Sequence, residues 1–396
     1  MRGSDHRYAV GVLLAVALTA SACTDGSSDR GGGAAPVKVP PAQIAITPAD
    51  AAEKVRPEKG VTVKATGGTL DAVRVTVKGK EKEVAGAFNA QRTEWRSKWA
   101  LAPSSEYQVS ASAKNSSGTP AQAAAEFRTL KPAETVRASL DWILEGNQGK
   151  KYGVGTPIIV NFDREVHNRE QVEKALEVKA DKPVEGAWRW IDGQQVVYRT
   201  RKYWPAHQKV TFTAHLTGVR AAKGVYGTRD LTRTFRIGAS RISTIDLKKH
   251  RMTVKVDGRQ VRKVPVSGGN GTTREYTTTS GVHLAMEKNN PTRMISPGRK
   301  KGDPGYYDLL INYAVRFSNT GEYLHQTSGE EYCLGKDNCS HGCVRQPASD
   351  ARWFYRTVQP GDVIVVKGTR RGLDWNNGWS FWELPWSSWK KGGSPA

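Results

Sequence analysis

Acidic side chains are scarce in this chain of 396 residues: 38 Asp and Glu face 60 Lys and Arg, for a formal net charge of +22. A balance this basic calls for anionic partners. The cations run through every part of the chain and accompany no recognition motif, which sets nucleic acid aside. Long apolar runs are missing as well. Beyond residue 22 nothing approaches the roughly 20 consecutive apolar residues of a transmembrane helix. Cysteine occurs only at positions 23, 333, 339 and 343, never in the Cys-x-x-Cys spacing common in zinc sites.

The chain begins as exported proteins begin. Arg2 and Arg7 form a positive start, residues 8–18 an apolar core, and Ala20-Ser21-Ala22-Cys23 a small-residue run ending in cysteine. This run resembles a bacterial lipobox, so residues 1–22 read as a signal peptide and Cys23 as the acceptor of diacylglycerol. Ordinary signal-peptidase cleavage is the alternative. Residues 23–41 contain Gly31-Gly32-Gly33, end in Pro40-Pro41 and lack aromatics, a flexible tether without a core. The anchor would hold the protein on the outer face of the cytoplasmic membrane, facing the wall. Anionic wall polymers and lipid headgroups are the partners such a basic chain would meet there.

At this length two to four domains are expected. Residues 42–130 carry period-two runs, as in Val61-Thr62-Val63-Lys64-Ala65 and Val73-Arg74-Val75-Thr76-Val77, with Gly67-Gly68 between them. Short strands at that spacing predict an immunoglobulin-like β-sandwich. Residues 131–238 repeat the plan, with a helical stretch at 170–177, and both modules finish on a Phe-Arg strand. Trp188 and Trp190 share one side of a strand; packing is the favoured use and a sugar platform the alternative. Residues 239–369 read as a mostly-β domain with one notable helix at 349–358. Within it Asp257-Gly258 marks a hairpin turn, 289–303 a long loop without periodicity, and 309–317 a single run of strand character. Residues 370–396 hold five of the 12 Trp. That many exposed indoles would invite aggregation, so this segment should pack back onto the body.

The chemistry concentrates in Gly321-Glu322-Tyr323-Leu324-His325 and, after a polar loop, in Ser340-His341-Gly342-Cys343-Val344-Arg345. A cysteine becomes a good nucleophile when a neighbour lowers its pKa, and imidazole is the usual agent. His325 and His341 both qualify. Gly342 leaves the backbone uncrowded where a substrate carbonyl must approach and N–H groups must face it. The plainer reading makes Cys343 an inert core thiol. Cys333 and Cys339, six apart in an exported chain, suggest a disulfide. A metal site from Cys333, Cys339, His341 and Cys343 is the rival.

His followed by about fifteen residues and Ser-His-Gly-Cys-Val-Arg resembles the signature of the L,D-transpeptidases, the YkuD family of cysteine enzymes that cross-link peptidoglycan. Similarity continues through residues 350–355 and 361–366, so the resemblance covers about 240–370. The two preceding modules resemble those of multidomain actinobacterial members, where a Trp-rich C-terminal segment braces the catalytic domain. The resemblance implies Cys343 as nucleophile and His325 as general base, oriented by the backbone carbonyl of Gln326. It implies an oxyanion hole from N–H groups near Gly342 and Cys343, with Ser340 fixing the turn and His341 lining the hole. Tyr307 would border the donor pocket with Met294 behind it, and no cofactor or metal is needed. Arg345 could clamp a substrate carboxylate, although several multidomain relatives carry Asn there.

The implied reaction joins peptidoglycan stem peptides. Cys343 would form a thioester with a tetrapeptide stem, releasing D-Ala, and a side-chain amine of a second stem would complete a 3→3 cross-link. Water in place of the amine gives an L,D-carboxypeptidase, and carbapenems should acylate the same thiol. Two further alternatives are a cell-wall cysteine amidase, in which Cys precedes His, and a non-enzymatic wall-binding lipoprotein, which leaves His325 and Cys343 unexplained. The charge balance itself is testable. Adhesion to isolated walls should weaken steeply from low to high salt, and binding indifferent to salt would refute it.

Overall fold

Alternation in the sequence becomes alternation in burial. In the computed structural model, which describes residues 39–145, 150–296 and 298–392, the strand Glu106–Asn115 turns Tyr107, Val109, Ala111 and Ala113 inward. The expected signal segment 1–22, Cys23 and all but the last residues of the expected tether lie outside the described residues. Glu106–Asn115 pairs with Gly68–Val77 and Pro120–Thr129, and Ala52–Val55 closes that sheet. A second sheet holds Gln43–Thr47, Thr62–Thr66, Glu94–Ser97 and Gly86–Phe88. Leu70, Trp95, Leu101 and Phe127 belong to the core of this sandwich.

Another pair of four-stranded sheets follows. One runs Ala138–Leu140, Ile158–Phe162, Gln195–Thr200, Gly186–Trp190; the other runs Lys151–Tyr152, Leu231–Ile237, Gln208–Ala214, Leu176–Ala180. The helix expected at 170–177 is shorter, Arg169–Lys174. Leu176–Ala180 leaves it because it pairs antiparallel with Gln208–Ala214, a tertiary contact that overrides local propensity. Trp190 stacks on Phe162 and donates its indole N–H to Glu173, while Trp188 packs against Tyr198 and Phe212. Both indoles serve packing.

The last domain is built on a five-stranded sheet in the order Arg259–Pro265, Arg251–Val256, Arg241–Asp246, Val363–Lys367, Gly281–Leu284. Asp257 and Gly258 both take positive φ (48° and 81°), as a two-residue hairpin turn demands. A second sheet runs Lys288–Asn289, Ala314–Arg316, Tyr323–Gln326, Val344–Gln346, and the helix Ala348–Thr357 packs on it. Ile245, Met252, Val254, Leu324, Val344 and Phe354 form the shared core. Two sequence expectations fail here. Residues 289–303 are not simply loop: Thr292–Ile295 pairs with Asp308–Ile311 as a two-stranded flap. The strand expected over 309–317 is broken at Tyr313 (φ 53°), and Ala314–Arg316 joins a different sheet. The flap leaves Ile295, Leu309 and Leu310 exposed, so its sequence lacks the polar–apolar alternation that marks a half-buried strand.

The modules are joined by close contacts. Trp99 of the first sandwich stacks on His215 of the second, with ring centroids 3.8 Å apart. Gly153 and Gly155 of the second donate backbone hydrogen bonds to Pro360 and Gly361 of the catalytic sheet's approach. A Cβ at Gly153 would lie 2.0 Å from the Asp362 nitrogen, so only glycine permits this junction. The Trp-rich tail packs on the second sandwich. Trp389 is fully buried and donates to the Ala187 carbonyl (2.9 Å), and Trp382 donates to Gly155 (3.1 Å). Between them sits Arg199, its guanidinium 4.8–5.3 Å from the ring centres of Trp382, Trp386 and Trp389 and hydrogen-bonded to the Leu384 carbonyl. Burial draws its pKa down to about 10, so it stays a cation at neutral pH, held by three ring faces. Trp389→Ala should therefore cost about 3–5 kcal/mol and open the tail to protease. Unchanged melting and unchanged proteolysis would contradict this docking.

Candidate active site

Two short parallel strands bring the reactive residues together. Tyr323–Gln326 pairs with Val344–Gln346 in the register Leu324↔Val344, His325↔Arg345. One step back, Cys343 lies beside Tyr323. Alternate residues of a strand share a face, so Tyr323, His325, Cys343 and Arg345 all reach one cleft of about 350 Å³. The flap forms part of its wall through Met294, Tyr307 and Leu309.

His325 is buried, and its Nδ1 lies 2.6 Å from the Gln326 carbonyl. A carbonyl only accepts, so Nδ1 carries the hydrogen and Nε2 keeps its lone pair. Burial pushes the imidazole down to about 4; the Gln326 hydrogen bond opposes that and the Arg345 charge adds to it. Cys343 is half-buried, and its thiol makes a long hydrogen bond to the Gly321 carbonyl (3.8 Å). Burial pushes the thiol up to about 12, against a backbone hydrogen bond from Tyr323 and with a contribution from the negative charge of Glu322. The sequence suggested the reverse, a thiol made acidic by its neighbour. An imidazole that is itself uncharged offers no cation to stabilise a thiolate, so both groups rest neutral.

The turn before the thiol is fixed from both sides. Gly342 has φ +127°, while a Cβ there would meet only the Glu275 carbonyl at 3.4 Å. Backbone conformation rather than crowding thus requires glycine. The Gly342 N–H donates to Ser340 Oγ (3.1 Å), and Ser340 Oγ donates to the Cys343 carbonyl (2.5 Å). The Gly342 N–H, one of the backbone donors expected to face a substrate carbonyl, is thus already engaged within the turn. The sequence reading missed Thr278. Its buried hydroxyl donates to the Gly342 carbonyl (2.7 Å) and accepts from the Gly269 N–H (2.9 Å). Because a trans peptide is planar, holding that carbonyl inward turns the Cys343 N–H away from Thr278. Three consecutive threonines, 277–279, were the available signal.

The other candidates fall out as follows. His341 is exposed, edge-on to Tyr276 at 4.7 Å and tilted against Tyr307 at 5.2 Å, as part of the cleft wall. Arg345 is not a free clamp, because its guanidinium is paired with Glu330. Gln326 contributes its carbonyl; its side chain is not among the cleft's lining groups. Cys333 and Cys339 are joined in a disulfide, which consumes two ligands of the rival metal site. Their loop is bolted to the sheet through Gly335 N–H to the Val266 carbonyl and Cys339 N–H to Ser267 Oγ.

Comparison with known proteins supplies the lineage. Residues 240–366 match the L,D-transpeptidase catalytic domain, and residues 52–220 match a bacterial Ig domain. The chain is 30% identical over 357 residues to L,D-transpeptidase 5 of Mycobacterium tuberculosis, spanning 88% of this chain and 77% of that protein. The chain belongs to the L,D-transpeptidase family. L,D-transpeptidase 2 of the same species is 29% identical over 399 residues, covering 97% of this chain and 94% of that relative. A solved LD transpeptidase in complex with imipenem superposes with a TM-score of 0.50 at 28% identity, over 60% of this chain and all of that one.

For this family member the resting thiol can be tested directly. Alkylation of Cys343 by iodoacetamide should be slow at neutral pH and rise about tenfold per pH unit without a plateau up to about pH 10. A plateau above about pH 9 would mean an ordinary thiol.

Proposed function

We propose that the protein is a cysteine acyltransferase that forms 3→3 cross-links between peptidoglycan stems. The observation that carries this reading is the placement of the Cys343 thiol and the His325 imidazole on one face of two parallel strands, with the imidazole fixed by the Gln326 carbonyl. The donor is a tetrapeptide stem. His325 Nε2 takes the thiol proton as Cys343 attacks the carbonyl joining the third residue to D-Ala, and the Cys343 N–H meets the developing oxyanion. Collapse expels D-Ala, which takes the proton back from His325, and leaves a thioester. The side-chain amine of a second stem then displaces the thiolate. Generating the ion pair only as the bond forms suits a buried site, since neither charge has to be held in the empty cleft.

Imipenem, bound by the related solved enzyme, should acylate this thiol too, because its β-lactam carbonyl is the same kind of electrophile. We also read Cys23 as lipid-bearing, with the enzyme tethered outside the cytoplasmic membrane, on the strength of the positive start, apolar core and small-residue run of residues 1–23. Its basic surface would then meet anionic wall polymers or headgroups.

Residues 42–396 should convert disaccharide-tetrapeptide into a 3→3 dimer, release D-Ala and gain the mass of one imipenem. Cys343→Ala should abolish all three, and an adduct on that variant would refute the nucleophile. His325→Gln should slow acylation by about 10²-fold or more. An equal loss in His341→Ala, with His325→Gln still active, would move the base to His341. The acylation rate should stay level from about pH 8 to 6 and fall with a midpoint near 4, the pH at which His325 gains its proton. A midpoint at about 6.5 would mean an unperturbed histidine.

A further inference from the structure

A peptide donor brings its own anion into this cleft. The thiol attacks the carbonyl just before the last residue, so the donor's terminal carboxylate lies one residue beyond it, about 3.5 Å of extended chain. A carboxylate leaving water needs pairing and hydrogen bonds to offset the loss. No lysine lines the cleft among the described residues; Arg293, Arg345 and Arg371 do. Two of these are already matched, Arg293 by two hydrogen bonds to Asp308 (2.8 and 2.7 Å) and Arg345 by Glu330. The lining histidines, His325 and His341, are held toward the neutral form, chiefly by burial.

Arg371 is the remaining cation. It follows the strand Val363–Lys367, where the chain is tied to the threonine segment. The Ser280 N–H donates to the Arg371 carbonyl (2.8 Å), and the Leu373 N–H donates to the Ser280 carbonyl (2.9 Å). Its Nη1 donates to the carbonyls of Arg274 and Thr277 (3.2 and 3.1 Å). Thr277 precedes Thr278, whose hydroxyl holds the Gly342 carbonyl, so guanidinium and nucleophile turn are fixed to one short segment. A guanidinium carries five N–H donors. Those of Nε and Nη2 have no partner among the described residues, and neither nitrogen is buried. This is the same edge with which Arg293 holds Asp308, the bidentate fit to a carboxylate. The carboxylates lining the cleft are engaged elsewhere, Glu275 by Arg299 and Glu322 by Thr279.

We propose that Arg371 is a specificity-determining residue that binds the terminal carboxylate of the donor stem and so selects peptides ending one residue beyond the scissile bond. This rests on the acyltransferase reading and deepens it. A donor longer by one residue would place an uncharged amide at the guanidinium and carry its charge about 3.5 Å farther on. The contact belongs to the first half-reaction alone. D-Ala departs with its own carboxylate, so the thioester left on Cys343 no longer engages Arg371 and the acceptor meets a vacated guanidinium.

The test pairs a change in the protein with a change in the ligand. D-Ala release from the tetrapeptide donor is compared with D-alaninamide release from the same donor ending in a carboxamide. In the wild type the carboxamide donor should show a KM about tenfold or more higher, the usual worth of a hydrogen bond to a charged group. Arg371→Gln keeps an N–H donor for the Arg274 and Thr277 carbonyls but loses the charge. There the acid donor's KM should rise to that of the carboxamide, whose own KM should not move. Arg371→Lys should restore part of the preference. A purely structural role would weaken both donors alike, and an unchanged acid-to-amide ratio in the Gln variant would overturn the proposal. So would a wild-type preference that follows the acceptor's terminus instead of the donor's. A wild type that releases D-Ala from no tetrapeptide would overturn the underlying reading instead. If the Gln variant fails to fold, the wild type decides: a tenfold preference for the acid supports the contact, and equal KM values refute it.

Discussion

The structure depends on one parallel pairing, that of Tyr323–Gln326 with Val344–Gln346. Parallel neighbours cannot be joined by a tight turn; the chain must leave the end of one strand and return to the start of the other. Here the return is the seventeen-residue connection 327–343, and its last residue is the thiol itself. The connection gains rigidity from its own disulfide and from hydrogen bonds to residues 266–268 of the neighbouring sheet edge. Ser267 and its neighbour Gly269 pair back onto Arg345 and Ser340. His325 and Cys343 therefore keep their spacing through the strand pairing and the hydrogen bonds that hold this return.

Burial then decides the protonation. Burial holds the imidazole at about 4 and the thiol at about 12, a combination that disfavours the ion pair in the empty cleft. In the proposed reaction an incoming carbonyl would change the balance by accepting the thiol's electrons as the proton leaves. The Thr278–Gly342 hydrogen bond would prepare for that moment, since an oxyanion donor that need not reorient stabilises the transition state most.

Much of this was legible in the sequence, and the exceptions share a cause. Period-two runs announced both sandwiches, and Asp257-Gly258 announced its hairpin. The two motifs around His325 and Cys343 carried the family resemblance. Thr292–Ile295 gave no signal because the strand is only partly buried on one side and carries apolar Ile295 on the exposed side, so polar and apolar residues do not alternate. The helix before Leu176 was overextended because pairing with Gln208–Ala214, far along the chain, claims that segment. The thiol's elevated pKa and the engagement of Arg345 by Glu330 are set by what the fold brings around each group. Residue types alone indicated which groups could react, and the surrounding protein set which charges they carry.

The tail has a consequence for the order of assembly. Trp382, Trp386 and Trp389 close around Arg199 of the second sandwich, yet they lie beyond the catalytic strand Val363–Lys367 in the chain. The second sandwich can form before they are made, as domains commonly do in N-to-C order, and until they arrive Arg199 has no aromatic faces around its guanidinium. Glu383 of the same stretch accepts from the Val282 N–H of the catalytic sheet. The tail is thus a late clasp across a junction that Gly153 and Gly155 also hold by hydrogen bonds to Pro360 and Gly361.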